Sequence, residues 1–143
     1  MSQENGCLTN KVAWVTGSSR GIGRVIATHL ASLGATVVVH RTAPDSTRAF
    51  NEALSLDAVA EAISKQYKVR VLPVHGDLSN GAVVRGLVRR IRDELGRIDI
   101  LVNCAGGDIG AKGTSGPMGG KPEKNDPLFI SLEDLRSVLD RNL

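Results

Sequence analysis

The fold of this 143-residue chain is decided by one stretch, Thr16-Gly17-Ser18-Ser19-Arg20-Gly21-Ile22-Gly23. A short, largely apolar run at residues 11–15 precedes it and predicts a buried strand. After it, side chains suited to one face of a helix recur at a spacing of three and four residues. These are Ile22, Val25, Ile26, His29, Leu30 and Leu33. The stretch is therefore predicted to be the turn between a strand and an amphipathic helix.

A glycine-rich turn between a strand and a helix is typical of a phosphate-binding site. Gly17, Gly21 and Gly23 carry no Cβ, so the backbone can turn sharply and approach a pyrophosphate closely. The start of the helix then offers unpaired N–H groups and the positive end of its dipole. Glycines also occur in ordinary turns, and that alternative remains for each of them taken alone.

The chain continues with the same alternation of strands and helices. Apolar runs predict strands, and apolar residues at helical spacing predict the helices between them. Strands that are apolar on both faces indicate an α/β fold, a doubly wound parallel sheet of the Rossmann type. Its predicted strand order is 3-2-1-4, with the ligand at the carboxyl ends of the strands. The predicted strands are residues 11–15, 36–40, 69–74 and 98–102, the helices residues 22–33, 56–67 and 80–95, and residues 41–55 are a predicted loop.

The last part of the chain breaks this rhythm. Residues 107–127 are rich in glycine, proline and lysine and carry no periodicity, which predicts a flexible loop. A final helix is predicted to begin near Ser131, because its spacing to Asp134 suits a capping box. Asn142 lies on the apolar stripe of this helix, where a buried amide needs partners. Residues 1–143 are expected to form a single, incomplete dinucleotide-binding domain.

Composition and charge argue against several other classes of function. The formal charge is only +3 and aromatic residues make up 3% of the chain, so we expect no nucleic-acid partner. Cys7 and Cys104 are too few for a disulfide framework, and with three scattered histidines they predict no metal site. The polar N-terminus and the lack of a long apolar stretch predict no membrane association, and the default location is the cytoplasm.

Four motifs give the chain a resemblance to the N-terminal half of the short-chain dehydrogenase/reductase family. They occur in order along essentially the whole chain, each on the element where the family has it. Cys104 stands where the family usually has a second asparagine. The motifs are Thr16-Gly17-x-x-x-Gly21-Ile22-Gly23, Asp77-Leu78, Asn103-Cys104-Ala105-Gly106 and Asn142-Leu143.

This resemblance implies an oxidoreductase that passes a hydride between a nicotinamide cofactor and a small carbonyl or alcohol, and a homo-oligomer for the full-length protein. It assigns Asn142 to catalysis, and Asp77 with Leu78 to the adenine. The alternative for Asp77 is a carboxylate in a helix-entry turn, and for Asn103 a residue that ties strands together. The cofactor-binding residues that it implies are Gly17, Ser18, Ser19, Arg20, Gly21, Ile22, Gly23, Asp77, Leu78, Asn103, Ala105 and Gly106.

The choice of cofactor depends on the end of the second predicted strand. Dinucleotide sites that bind a ribose 2′-hydroxyl usually have Asp or Glu about twenty residues after the glycines, and Arg41 occupies that position here. An arginine suits a 2′-phosphate through charge-assisted hydrogen bonds, and Arg20 is a candidate second contact. NADP(H) is therefore favoured over NAD(H). The alternative for Arg41 is an ordinary surface cation.

The family's catalytic serine and Tyr-x-x-x-Lys pair have no match in this chain. Its single tyrosine is Tyr67, which has Val71 four residues later and precedes the third predicted strand. Since hydride transfer also needs a proton from a group of tuned pKa, we expect the chain as given to be truncated and inactive. The competing hypothesis from another class is a dinucleotide-binding sensor or pseudoenzyme without catalysis.

Overall fold

The computed structural model describes residues 6–43, 55–113 and 116–142. Strands and helices alternate along these residues, as the sequence predicts. Most of the predicted loop at residues 41–55 and residue 143 lie outside the described part. The elements are β1 (Val12–Val15), α1 (Gly21–Ser32), β2 (Thr36–Arg41), α2 (Leu56–Tyr67), β3 (Val71–His75), α3 (Gly81–Leu95), β4 (Ile100–Val102) and α4 (Leu132–Asn142).

The four strands form one parallel sheet in the order β3-β2-β1-β4, which confirms the predicted topology. In its centre, Val15 of β1 is in register with Val39 of β2 and Val102 of β4. The carboxyl ends of these three strands therefore lie side by side. The turns that follow β1 and β4 and the end of β2 meet at this edge.

Helices cover both faces of the sheet. Because successive side chains of a strand point to opposite faces, β1 and β2 contribute side chains to two separate cores. Val15 and Val37 lie in one core, together with α1 and α2. Trp14 and Val38 lie in the other, which α3 completes with Leu87 and Ile91.

The predicted buried face of α1 is only partly right: Ile26 and Leu30 pack against the core, but they are not the most buried residues of the helix. Its buried residues are Gly23, Ala27 and Ala31, whereas Ile22 is 75% and Val25 is 69% exposed. Small residues at every fourth position let the helix approach the sheet more closely than a row of large side chains allows. A Cβ on Gly23 would lie only 2.4 Å from the Gly17 carbonyl oxygen, which shows how close this approach is.

Side-chain caps fix where the other helices begin. The Ser55 hydroxyl accepts from the Ala58 N–H at the start of α2. The Asn80 side chain caps α3 by accepting from the Ala82 N–H. Ser131 Oγ accepts from Asp134 N–H, which confirms the serine cap predicted for α4.

Pro73 lies in β3, which is an outer strand of the sheet. The Arg70 carbonyl accepts from Val37 N–H at 3.0 Å, and the Gly76 N–H donates to the Arg41 carbonyl at 3.0 Å. Even-numbered residues of β3 therefore turn their backbone groups toward β2, and odd-numbered residues turn theirs outward. Pro73 lacks an N–H on the outward side, so it costs the sheet no hydrogen bond.

Residues 107–127 are neither strand nor regular α-helix in the described part. They contain a short 3-10 helix, Pro117–Gly120, and the Gly110 N–H donates to the Gly120 carbonyl at 2.9 Å. The flexibility of this loop stays a prediction. In α4, Leu132 is 72% and Leu139 is 44% exposed, so the apolar stripe of this helix faces solvent.

Candidate functional site

A cleft of about 310 Å³ opens at the carboxyl edge of the sheet. The turn after β1, the end of β2 and the turn after β4 form its walls. A smaller hollow of about 50 Å³ shares Thr42, Ala105, Gly106 and Ile109 with it and adds Asp77, Leu78, Ser79 and Arg141. The residues that line the larger cleft are Gly17, Ser19, Arg20, Gly21, Ile22, Gly23, Arg41, Thr42, Cys104, Ala105, Gly106 and Ile109.

The glycine turn lies against the turn that follows β4. Gly17 has φ +61°, and a Cβ on it would lie 2.7 Å from the Ala105 Cα. A side chain at this position would therefore both strain the backbone and push the two turns apart. Gly21 has φ +55°, but a Cβ on it would meet nothing within 4 Å. The two glycines thus serve different purposes, close packing at Gly17 and a turn beside open space at Gly21.

The start of α1 lacks the side-chain cap that α2 and α3 have. Its N-cap residue Arg20 makes no side-chain cap bond, and its first turn holds no acidic residue. The first N–H groups of a helix need partners from outside it, and a bound anion can supply them. Because the start of α1 lines the cleft, it fits the pyrophosphate of a dinucleotide.

Thr16 joins the turns after β1 and β4. Its side chain is 3% exposed, and its Oγ1 accepts from the Cys104 and Ala105 N–H groups, each at 2.9 Å. Its own N–H donates to the Val102 carbonyl at 3.0 Å. The sequence places Thr16 in the glycine motif, but it does not reveal this role, because the partners are nearly ninety residues away.

Ser18 was expected to contact the cofactor, and the structure corrects this. The residue is 0% exposed. Its Oγ donates to the Val15 carbonyl at 2.7 Å and accepts from the His40 N–H at 2.9 Å. Ser18 therefore lies behind the glycine turn and holds it to the sheet.

His40 is a buried histidine that the sequence-based prediction missed. Its Nδ1 accepts from the Gly17 N–H at 3.1 Å, and its Nε2 lies 2.9 Å from the Gly76 carbonyl oxygen. Burial lowers the pKa of His40 below its usual 6.5. The only sequence signal is a polar residue at the end of an otherwise apolar strand, which is not specific.

Arg41 is a buried residue of the cleft, so the alternative of an ordinary surface cation is wrong. It is 3% exposed, and its Nε donates to the Ala43 carbonyl at 2.6 Å. Arg20 lines the same cleft. The structure thus brings together the two arginines that the sequence analysis connected with a 2′-phosphate.

Asp77 and Leu78 line the smaller hollow beside the cleft. Asp77 Oδ1 accepts from Ser79 N–H at 3.0 Å and from Ser79 Oγ–H at 2.7 Å, so it is also the turn carboxylate of the alternative. Burial raises the pKa of Asp77, but the Ser79 bonds and the positive charge of Arg141 outweigh it. The pKa therefore lies below its usual 3.8, and the carboxylate is ionised at neutral pH.

Asn103 is not brought into the cleft. It is exposed at the end of β4, an outer strand of the sheet, while Cys104 lines the cleft. Successive residues at a strand end point in opposite directions, which separates the two side chains. The expected contact between Asn103 and the cofactor has no support in this geometry.

Asn142 is exposed, which corrects the expected burial of its amide. Its Oδ1 accepts from the Gly107 N–H at 2.9 Å, and its Nδ2 donates to the Gly107 carbonyl at 3.0 Å and to the Val138 carbonyl at 2.7 Å. A Cβ on Gly106 would lie 2.5 Å from Asn142 Oδ1. The amide therefore fastens the turn after β4 to α4.

Within residues 6–43, 55–113 and 116–142, no three His, Cys, Asp or Glu side chains come together as metal ligands. No helix in those ranges combines the length and apolar character needed to cross a membrane.

Comparison with known proteins gives matches along most of the chain. A family model described as short chain dehydrogenase matches residues 11–142. The NADPH-dependent aldehyde reductase 2 of Arabidopsis thaliana chloroplasts is 42% identical over 105 residues, which cover 69% of this chain and 37% of that protein.

Solved structures are similar as well. L-Sorbose reductase from Gluconobacter frateurii, complexed with NADPH and L-sorbose, matches with a TM-score of 0.63 and 35% identity over 74% of this chain and 37% of that one. A mutant short-chain dehydrogenase/reductase from Serratia marcescens gives 0.70 and 33% over 95% of this chain and 46% of that one. The chain thus spans less than half the length of each of these proteins.

Proposed function

Because this chain belongs to the short-chain dehydrogenase family, we propose that it is the cofactor-binding part of an NADP(H)-dependent oxidoreductase. The reaction is hydride transfer between the nicotinamide and the carbonyl or alcohol carbon of a small molecule. The observation that carries the proposal is the cleft in which Arg20 and the buried Arg41 lie beside the open start of α1.

The residues of the cleft fit a dinucleotide. The uncapped N–H groups of α1 bind the pyrophosphate, and Gly17 keeps the backbone free of a side chain there. Asp77 and Leu78 bind the adenine in the smaller hollow. The bound cofactor supplies or accepts the hydride, and the residues of this chain bind and orient it.

Asn142 contributes by positioning. Two of its three hydrogen bonds hold Gly107 to α4, and Gly106, the neighbour of Gly107 along the chain, lines the cleft. The Asn142 amide thus holds in place the loop that lies beside the cofactor. The full-length protein is expected to be a homo-oligomer that acts on a small carbonyl or alcohol.

The preference for NADP(H) follows from charge. A 2′-phosphate near Arg20 and Arg41 gains charge-assisted hydrogen bonds that a 2′-hydroxyl cannot make. Two comparisons support this: the Arabidopsis relative is named NADPH-dependent, and the Gluconobacter structure contains NADPH.

The test is the ratio of the dissociation constants for NADPH and NADH, measured by fluorescence titration of the full-length protein. Arg41→Asp is expected to reduce the preference for NADPH about tenfold or more, and Arg20→Ala is expected to reduce it less. Arg89→Asp, the same charge change at an exposed position of α3, is the matched control and should leave the ratio unchanged.

Two results contradict parts of the proposal. A wild-type protein that prefers NADH, or an Arg41→Asp variant with an unchanged ratio, would remove the assignment of NADP(H). Tight cofactor binding without turnover of any aldehyde, ketone or alcohol would favour the non-catalytic sensor instead.

A further inference from the structure

We propose that His40 is a positioning residue of the cofactor cleft, whose neutral imidazole holds the Gly17 turn in the shape that receives the cofactor. The inference rests on the proposed function, because it concerns the same cleft. It adds a residue that has no place in the glycine motif and lies at the end of β2.

The hydrogen bonds of the ring fix its protonation state. The Gly17 N–H can only donate, so Nδ1 must present a lone pair to it at 3.1 Å. The Gly76 carbonyl can only accept, so Nε2 must carry the proton that it receives at 2.9 Å. Both partners are satisfied by one species alone, the neutral ring with its proton on Nε2.

The backbone of His40 strengthens the same connection. Its carbonyl accepts from the Ser18 N–H at 2.9 Å, and its N–H donates to Ser18 Oγ at 2.9 Å. One residue of β2 thus makes three bonds to the glycine turn and one to Gly76, which immediately precedes Asp77. The ring therefore ties the turn that binds the pyrophosphate to the segment that binds the adenine.

The surroundings of the ring keep it neutral. His40 is 0% exposed, and the Trp14 ring meets it edge to face at 6.5 Å. Burial lowers the pKa of His40 and the nearby His75 lowers it further, whereas the Gly76 bond and the Asp77 carboxylate raise it. The next residue of β2, Arg41, is a fixed cation.

A proton on Nδ1 would remove the acceptor for the Gly17 N–H and leave a charge in the interior. The pKa of His40 is below 6.5 in the folded protein, so the unfolded chain takes up protons first as the pH falls. The stabilisation from the neutral ring is therefore complete above pH 6.5 and is lost as the pH falls through the folded-state pKa. The cofactor affinity of the folded protein should fall only where the pH passes below the folded-state pKa, because only there does the folded ring take up the proton.

The experiment compares the dissociation constant for NADP⁺ in wild type and His40→Asn, using calorimetric titration of the full-length protein from about pH 8 to about pH 5. The asparagine Oδ1 can accept from the Gly17 N–H as Nδ1 does, but it does not titrate. The 2′-phosphate titrates in this range too, so the ratio of the two constants at each pH is used, from which its effect cancels.

We expect His40→Asn, which supplies the same acceptor, to bind nearly as tightly as wild type at about pH 8, and the ratio of wild-type to His40→Asn constants to rise only where the pH falls below the folded-state pKa of His40. His40→Phe, which keeps a ring but accepts no hydrogen bond, should weaken binding about tenfold at about pH 8. His29→Asn, at an exposed position of α1, is the matched control and should keep the pH dependence of the wild type.

The outcomes separate this inference from the proposed function. A wild type that binds neither NADP⁺ nor NAD⁺ overturns the proposed function. A wild type that binds, with an affinity at about pH 8 that His40→Phe leaves unchanged, overturns the role of His40 alone. If His40→Phe does not fold, His40→Leu, which likewise accepts no hydrogen bond from the Gly17 N–H, takes its place in this comparison.

Discussion

At the scale of single residues, two buried polar side chains shape the cleft without facing it. Thr16 accepts hydrogen bonds from two N–H groups of the turn after β4, and His40 accepts one from an N–H group of the turn after β1. Both bring together backbone segments far apart in sequence. Polar atoms of this kind are held in place because a buried donor left without a partner is costly.

Thr16→Val tests the first of these. Valine has the shape of threonine but no hydroxyl, so the N–H groups of Cys104 and Ala105 would lose their acceptor. We expect the free energy of unfolding of the full-length protein to fall by about 2 kcal/mol in urea denaturation. Thr28→Val removes a hydroxyl that bonds within α1 and is the control, which should cost less than half as much. Equal losses would show that Thr16 holds no special position.

The sequence predicted the residues whose role is local and missed those whose role depends on the fold. Gly17 is identified from its motif, and its positive φ agrees with a turn. The partners of Thr16 and His40 are brought near only by the sheet, so spacing along the chain does not reveal them. Ser18 was placed in the cleft because the motif does not say which side of the turn each residue faces.

At the scale of elements, the small buried residues of α1 determine how closely this helix lies against the sheet. Gly23 allows the helix to lie against the Gly17 carbonyl, and the large residues Ile22 and Val25 are left outside. The length and order of the elements were predictable, because apolar periodicity is a local property of the sequence. The small residues that α1 buries could not be predicted in this way, because small residues carry little weight in a hydrophobic pattern although they permit the closest packing.

A pair of glycine substitutions measures this effect. In Gly23→Ala the new methyl group would lie 2.4 Å from the Gly17 carbonyl oxygen, so we expect a loss of stability of about 2 kcal/mol or more. In Gly86→Ala, within α3, a Cβ would meet nothing within 4 Å, and we expect a gain of about 0.5–1 kcal/mol. Thermal denaturation of the two variants is the measurement. A tolerated alanine at position 23 would show that α1 can shift away from the sheet.

At the scale of the whole molecule, the described residues leave the β4 edge of the sheet uncovered. β4 is an outer strand, Leu101 on it is 53% exposed, and Leu132 of α4 is 72% exposed. Unpaired strand edges and large apolar side chains in water favour association with other chains.

We therefore expect the 143-residue polypeptide, expressed by itself, to associate with its own copies, as measured by light scattering coupled to size-exclusion chromatography. Leu101→Lys places a charge on the open strand and should shift the polypeptide toward the monomer. Leu128→Lys adds the same charge at a residue that is 85% exposed outside the strands, and it should have little effect. Equal effects of both variants would assign the association to net charge rather than to β4.

Pro73 of β3 limits how many copies of the polypeptide can associate through their sheets. Among the strands that the structure describes, the outer strand β3 lacks a donor where a further strand would need it, which leaves β4 as the edge that can pair with another chain. If two copies pair β4 with β4 about a two-fold axis, each copy uses its β4 edge, and the described strands of the dimer offer no further edge for pairing. We therefore expect association of the polypeptide to end at a dimer. The same sheet without Pro73 in β3 would have two edges able to pair and could lengthen into a fibre.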